Sequence, residues 1–175
     1  MIDFTDADEG AALDQRAIDW LLGSGISIDA VAMPWAVRSA RVIFEPTGRY
    51  GPCPGLGHFA YILAIIDDGI VDLVAWSPKD DRLATRLGHG GALGQGQLGI
   101  DGVDTTDRPL PVWRGALDWL RAGRRGVVIT DPAVAAHLFA GAVLEAEDKV
   151  QAAELSDALR LPPPTVIFQT RRIAA

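Results

Sequence analysis

"HFAYILAIIDDGIVDLVAW", residues 58–76, is the stretch on which the fold turns. Two runs of β-branched and aromatic residues flank Asp67-Asp68-Gly69, and Asp-Gly between such runs is a strong hairpin signal. Gly69 is expected to take the left-handed conformation that a three-residue loop requires. Apolar residues fill both parities of 59–66. A strand of that kind is buried on both faces, so it should be central in its sheet.

Working outward, "AVRSARVIFEP" (36–46) is β-rich and "DRLATRLG" (81–88) alternates, so both extend the sheet. Upstream, "DADEGAALDQRAIDWLLG" (6–23) begins with acids and continues with apolar residues near helical spacing, which predicts one amphipathic helix. After a Gly-Ser-Gly break, Ser27 caps a second short helix stopped by Pro34, completing a helical hairpin. Downstream, strands at 110–113 and 126–130 alternate with helices at 115–122 and 133–140. Asp131-Pro132 supplies an N-cap with proline at the first helical position. A helix from 145 to 160 and a strand "TVIFQT" (165–170) close the chain. Residues 1–175 are therefore read as a single globular domain of the α+β class. It has an N-terminal helical hairpin, a central mostly antiparallel sheet, and a C-terminal alternating β/α portion with helices packed on a mixed sheet.

Composition narrows the function. The 175 residues carry a net charge of −7, concentrated in the first half, and the pI is near 4.8. Phosphate-backbone binding needs clustered Lys and Arg, so direct nucleic-acid binding is not expected. Apolar runs fall far short of the roughly 20 residues a membrane helix needs, and the acidic start is unlike a signal peptide. No membrane association and a cytoplasmic location are the expectations. Arg121, Arg124 and Arg125 are read as a solvated helix end, where the dipole favours cations. Trp20, Trp76 and Trp119 lie in periodic apolar segments and are assigned to the core.

Residues 94–99, Gly-Gln-Gly-Gln-Leu-Gly, fit G-x-G-x-x-G. A dinucleotide fingerprint needs a strand before it and a helix after it, whereas here more glycines precede and "IDGVDTTDRPLP" follows. The segment is read as a flexible loop, and no cofactor is expected. Metal ligation needs convergent ligands at short paired spacings. Cys53 and His58 form only C-x4-H, while His89 and His137 are isolated, so no metal site is expected. His137, within "AVAAHLF", is read as a partly buried packing residue. Glu145, Glu147 and Asp148 head the last helix and are read as capping charges.

The chemical candidates are the only cysteine, Cys53, and His58, within "RYGPCPGLGHFAYIL" (49–63). Pro54, Gly55 and Gly57 allow a turn that brings thiol and imidazole within hydrogen-bond reach, as an activated nucleophile requires. The competing reading makes Cys53 a small turn residue and His58 a strand-entry residue, because catalytic pairs are best held on rigid elements.

"GHFAYILAIIDDGIVDLVAW" resembles the histidine-bearing hairpin of CHAP and NlpC/P60 cysteine peptidases, in which a Gly-His pair begins a strand. That resemblance implies His58 as the base. Those families place the nucleophilic cysteine upstream at a helix start, and this chain has no cysteine before Cys53. A longer stretch looks like a group of uncharacterised phage and prophage proteins of alphaproteobacteria. It is carried by "DLVAWSPKDDRLATRLGHGGALG" (72–94), "PLPVWRGALDWLRAGRRGVVITDP" (109–132) and "AEDKVQAAELSDALRLPPPTVIF" (146–168). The resemblance implies a viral origin and supplies no activity. The leading expectation is a non-enzymatic phage or prophage accessory protein that binds a protein partner through an acidic surface. Alternatives are a thiol hydrolase using Cys53 and His58, and a phage structural component.

Overall fold

The computed structural model describes residues 4–98 and 108–160. A capping box opens the short helix α1 (Asp6–Glu9): the Thr5 hydroxyl accepts from Asp8 N–H, and the Asp8 carboxylate accepts from Thr5 N–H. Gly10 ends it at φ 77°, and a Cβ there would lie 2.5 Å from Ser39 O. Only glycine fits that approach. Next comes β1 (Ala11–Ala12), and then Asp14 caps α2 (Gln15–Gly23) through the Ala17 N–H. The single helix expected from the acids onward is therefore corrected to helix, strand and helix. Ser27 caps α3 (Ile28–Ala32), which packs on α2 as the expected hairpin.

β2 (Arg38–Phe44), β3 (Tyr50–Pro52), β4 (His58–Ile66), β5 (Ile70–Ser77) and β6 (Arg82–Thr85) follow. With β1 they form a six-stranded antiparallel sheet in the order β1-β2-β4-β5-β6, with β3 also paired to β2. β4 is central, as its double apolar parity requires. At the β4–β5 turn Gly69 has the expected positive φ, 144°, and Asp68 has one as well, 46°. Asp is among the few non-glycine residues that adopt it readily.

Beyond the sheet lie β7 (Ala92–Leu93), a 3-10 turn (Gln95–Leu98), β8 (Leu110–Val112), α4 (Ala116–Arg121), β9 (Val128–Ile129), α5 (Pro132–Leu138), β10 (Leu144–Ala146) and α6 (Lys149–Ala158). Asp131 caps α5 and Asp148 caps α6, which begins at Lys149 and not at 145 as expected, so Glu145 lies in β10 and caps no helix. The alternation is present, yet it does not extend the main sheet. β7 pairs antiparallel with β9, and β8 pairs parallel with β10, as two separate ladders. The expected strand at 165–170 lies outside the described residues.

The expectation of a flexible loop at residues 94–99 is corrected at its first residues, and the glycines just before it are packed as well. Gly90 and Gly91 are buried, Ala92 and Leu93 are fully buried, and the Gln95 Oε1 accepts from Gly91 N–H and Ala92 N–H. Gly94 has φ 78°, and a Cβ on it would lie 2.4 Å from Gly126 O. These glycines let backbones approach closely, which composition alone cannot tell from flexibility.

Alternation along β4 and β5 feeds two apolar layers. Tyr61, Leu63, Ile65, Val74 and Trp76 pack against residues of α2, α3 and α4, including Leu21, Val31, Trp119 and Leu120. On the other face Ala60, Ile62, Ala64, Leu73 and Ala75 pack with Val42, Tyr50 and partly buried Trp35 and Phe4. A third cluster joins Ala92, Leu110, Val112 and Val127 to α5 and to Leu155 and Leu159.

Two carboxylates tie these layers together. Asp72 is fully buried in β5; its Oδ1 accepts from Leu73 N–H and Leu87 N–H, and its Oδ2 from His89 N–H and Gly90 N–H. Asp8 pairs with Arg86 across 78 residues of chain. Burial works against the Asp8 charge, but hydrogen bonds from Arg86 and Thr5 outweigh it and hold the carboxyl below its ordinary range.

Asp72→Ala leaves buried N–H donors without an acceptor and is expected to cost about 2–4 kcal/mol in urea unfolding; a loss within 0 to ~0.5 kcal/mol would contradict the anchoring role. Because the folded Asp8 pKa is depressed, its contribution is complete above the ordinary carboxylate range and lost as pH falls through the lower value. Wild type should therefore lose more stability than Asp8→Asn as acid titrates that group, and parallel acid-unfolding curves would refute the assignment.

Candidate functional site

The structure does not join Cys53 to His58. Cys53 N–H donates to Arg41 O at 2.8 Å, continuing the β3 pairing one residue beyond Pro52, while His58 opens β4 on the other side of β2. Val42 faces Pro52 across one edge and His58 across the other. The two backbones are thus about two strand spacings, ~9.5 Å, apart. Alternation then separates the side chains: the His58 ring shares the Val42 face, 6.3 Å from the Phe44 ring, and Cys53 is level with Arg41, on the opposite face. His58 is exposed and Cys53 half-buried, and no hydrogen bond links them.

His137 is exposed on α5, which corrects the partly buried packing role. Apolar spacing around it is carried by Ala135, Ala136 and Phe139, leaving the imidazole outside. Among the described residues no group of three or more His, Cys, Asp or Glu side chains is placed to hold a metal ion. Arg114 N–H donates to Glu147, and its guanidinium bonds Asp148 and Glu154, so the acids at α6 are occupied by a cation as well as by the cap.

Two surfaces emerge that sequence spacing did not reveal. The first is an aromatic row. Trp76 and Trp119 are buried as expected, but Trp20 is 42% exposed, a correction to its core assignment. The Trp20 ring stacks on Tyr61 with centroids 5.7 Å apart, and Phe59, also partly exposed, meets Tyr61 edge-on at 5.1 Å. Burial, and then the Asp14 charge, push the Tyr61 phenol above its ordinary range, placing a carboxylate near the row. Phe59 continues into a groove of about 490 Å³ with Asp6, Ala11, Arg41 and Pro54. Asp6, in the groove, and Asp14, beside Tyr61, are exposed at this face.

The second is a cleft of about 910 Å³ between α3, the β4–β5 turn, the Gln95–Leu98 turn and the end of α4. Asp67 and Asp68 stand at the hairpin side, and Arg121, Arg124 and Arg125 at the α4 side. Arg124 is not solvated: it is 8% exposed, correcting its reading as a free helix end. The G-x-G-x-x-G glycines Gly94 and Gly96 line the cleft, and the described residues 95–98 of the motif form a 3-10 turn.

No protein-family model, curated protein or solved structure matches the chain. No helix among the described residues is long and apolar enough to cross a membrane.

Because the imidazole has no contact with the thiol, His58→Ala should leave the rate and pH dependence of Cys53 alkylation unchanged within about twofold. A reactivity below neutral pH that disappears in His58→Ala would instead establish a coupled pair.

Proposed function

We propose that the chain is a non-enzymatic accessory protein of a phage or prophage, cytoplasmic in the host, that binds a protein partner through the face of α2 and β4. The partly exposed Trp20 and Phe59 rings, joined through the buried Tyr61 ring, carry this reading. Aromatic side chains give large contact area and are enriched in protein interfaces, and Trp20, although it packs on Tyr61 and Trp76, keeps 42% of its surface open. Ring faces beside Asp6 and Asp14 suit Lys or Arg side chains, which gain from both the carboxylate and the ring quadrupole. The partner surface is therefore basic, and the acidic first half of the chain accelerates encounter. The viral origin rests on the resemblance of residues 72 onward. A thiol hydrolase finds less support, since it requires Cys53 and His58 to converge.

Capture and cross-linking at low salt, with wild type and Trp20→Ala side by side, test the reading. Far-UV circular dichroism controls for the fold. Trp20→Ala should weaken retention of the captured partner by ~10-fold or more. Raising the salt should release it, because exposed charges are screened. Equal retention by Trp20→Ala, or binding indifferent to salt, would overturn the proposal.

A further inference from the structure

Arg124 lines the second cleft, where geometry leaves its charge without a carboxylate. Its Nε donates to Ala30 O at 2.7 Å and one Nη to Trp35 O at 3.0 Å, and its guanidinium lies 5.5 Å from the Trp119 ring centre. Both acceptors are neutral carbonyls. No carboxylate of a described residue lies within 4.0 Å, and Nη1 donates no hydrogen bond to any described residue. Burial lowers the guanidinium pKa to about 10, so it is still cationic at neutral pH. A largely buried cation bonded only to neutral groups keeps part of its desolvation cost, and because Nη1 is not sealed from solvent, an anion can reach it and relieve that cost.

The same cleft wall carries Arg125, whose guanidinium is exposed and forms no ion pair or hydrogen bond with a described residue. Arg121 is already engaged by Ser24 O and Asp118. The two guanidinia with donors to spare, Arg124 and Arg125, match the charge of one phosphate better than that of one carboxylate, and the guanidinium fork fits phosphate oxygens. Asp67 and Asp68 at the hairpin side would accept from an amino group at the far end of a ligand. The volume falls within the range of small-molecule sites.

We propose that this cleft binds a small phosphate-bearing molecule, with its phosphate at Nη1 of Arg124 and the guanidinium of Arg125 and its other end toward Asp67 and Asp68. The site is independent of the aromatic row on α2 and β4.

Titration of the full chain with pyrophosphate, AMP and succinate, followed by amide and arginine side-chain NMR shifts, tests it. Pyrophosphate and AMP should shift resonances of Gly123, Arg124 and Arg125. Succinate should bind at least ~10-fold more weakly. Arg125→Glu, at an exposed position without partners, should keep the melting temperature and lower AMP affinity by ~10-fold or more. Arg124→Gln should abolish the shifts, with Arg125→Glu as the readout if that variant does not fold. The proposal is overturned if neither phosphate compound shifts these resonances at about 10 mM, where even a millimolar site is filled. Succinate binding equal to that of AMP, or wild-type affinity in Arg125→Glu, would overturn it equally.

Discussion

The burial of β4 on both faces is the constraint from which the rest of the architecture follows. A strand with apolar residues at every position needs a hydrogen-bonded neighbour on each edge and an apolar layer on each side. β2 and β5 supply the edges. Helices α2, α3 and α4 cover one face, and Tyr50, Trp35 and the N-terminal segment cover the other. The chain therefore passes repeatedly from one face of its sheet to the other: Phe4 lies on one, α2 and α3 on the opposite one, Trp35 and Tyr50 on the first, and α4 again with α2 and α3. Tyr50 shows how this is managed: it is almost wholly buried, and its hydroxyl donates to Asp8 O at 3.2 Å, so the second layer carries its own polar tie to α1.

The C-terminal portion joins this framework through polar contacts more than through an extended sheet. Asp72 gathers the amides of Leu87, His89 and Gly90, aiming the following strand β7 toward β9. Gln97 does similar work on the other side, with its amide bonded to Arg124 O and Gly126 O and its carbonyl accepting from Gly126 N–H. Both are side chains acting as backbone partners where regular ladders stop, which meets the requirement that buried polar groups be satisfied.

The local grammar of the chain was readable, and its long-range contacts were not. The Asp67-Asp68-Gly69 hairpin, the caps at Ser27, Asp131 and Asp148, and the central position of β4 all follow from neighbours in sequence. β3 escaped notice because Tyr-Gly-Pro has no alternation to detect. Trp20 and Arg124 were misassigned for the same reason as each other. Helical periodicity and dipole arguments place a residue on its own element, whereas exposure depends on what a distant element covers. Nothing near Trp20 announces that α2 leaves it half outside, and nothing near Arg124 announces that Ala30 and Trp35 await it. Cys53 and His58 show the converse, since closeness in sequence suggested a pair that β2 separates.

The bonds from Arg124 to Ala30 and Trp35 span 94 and 89 residues. On the ribosome, where synthesis proceeds at about 5–20 residues per second, α3 emerges about 5–20 s before the arginine that ties it down. During that interval α2 and α3 can cover the sheet with apolar groups alone. The order of synthesis thus makes the first half a waiting platform, whose final seating is set by the last residues of α4 and the turn that follows.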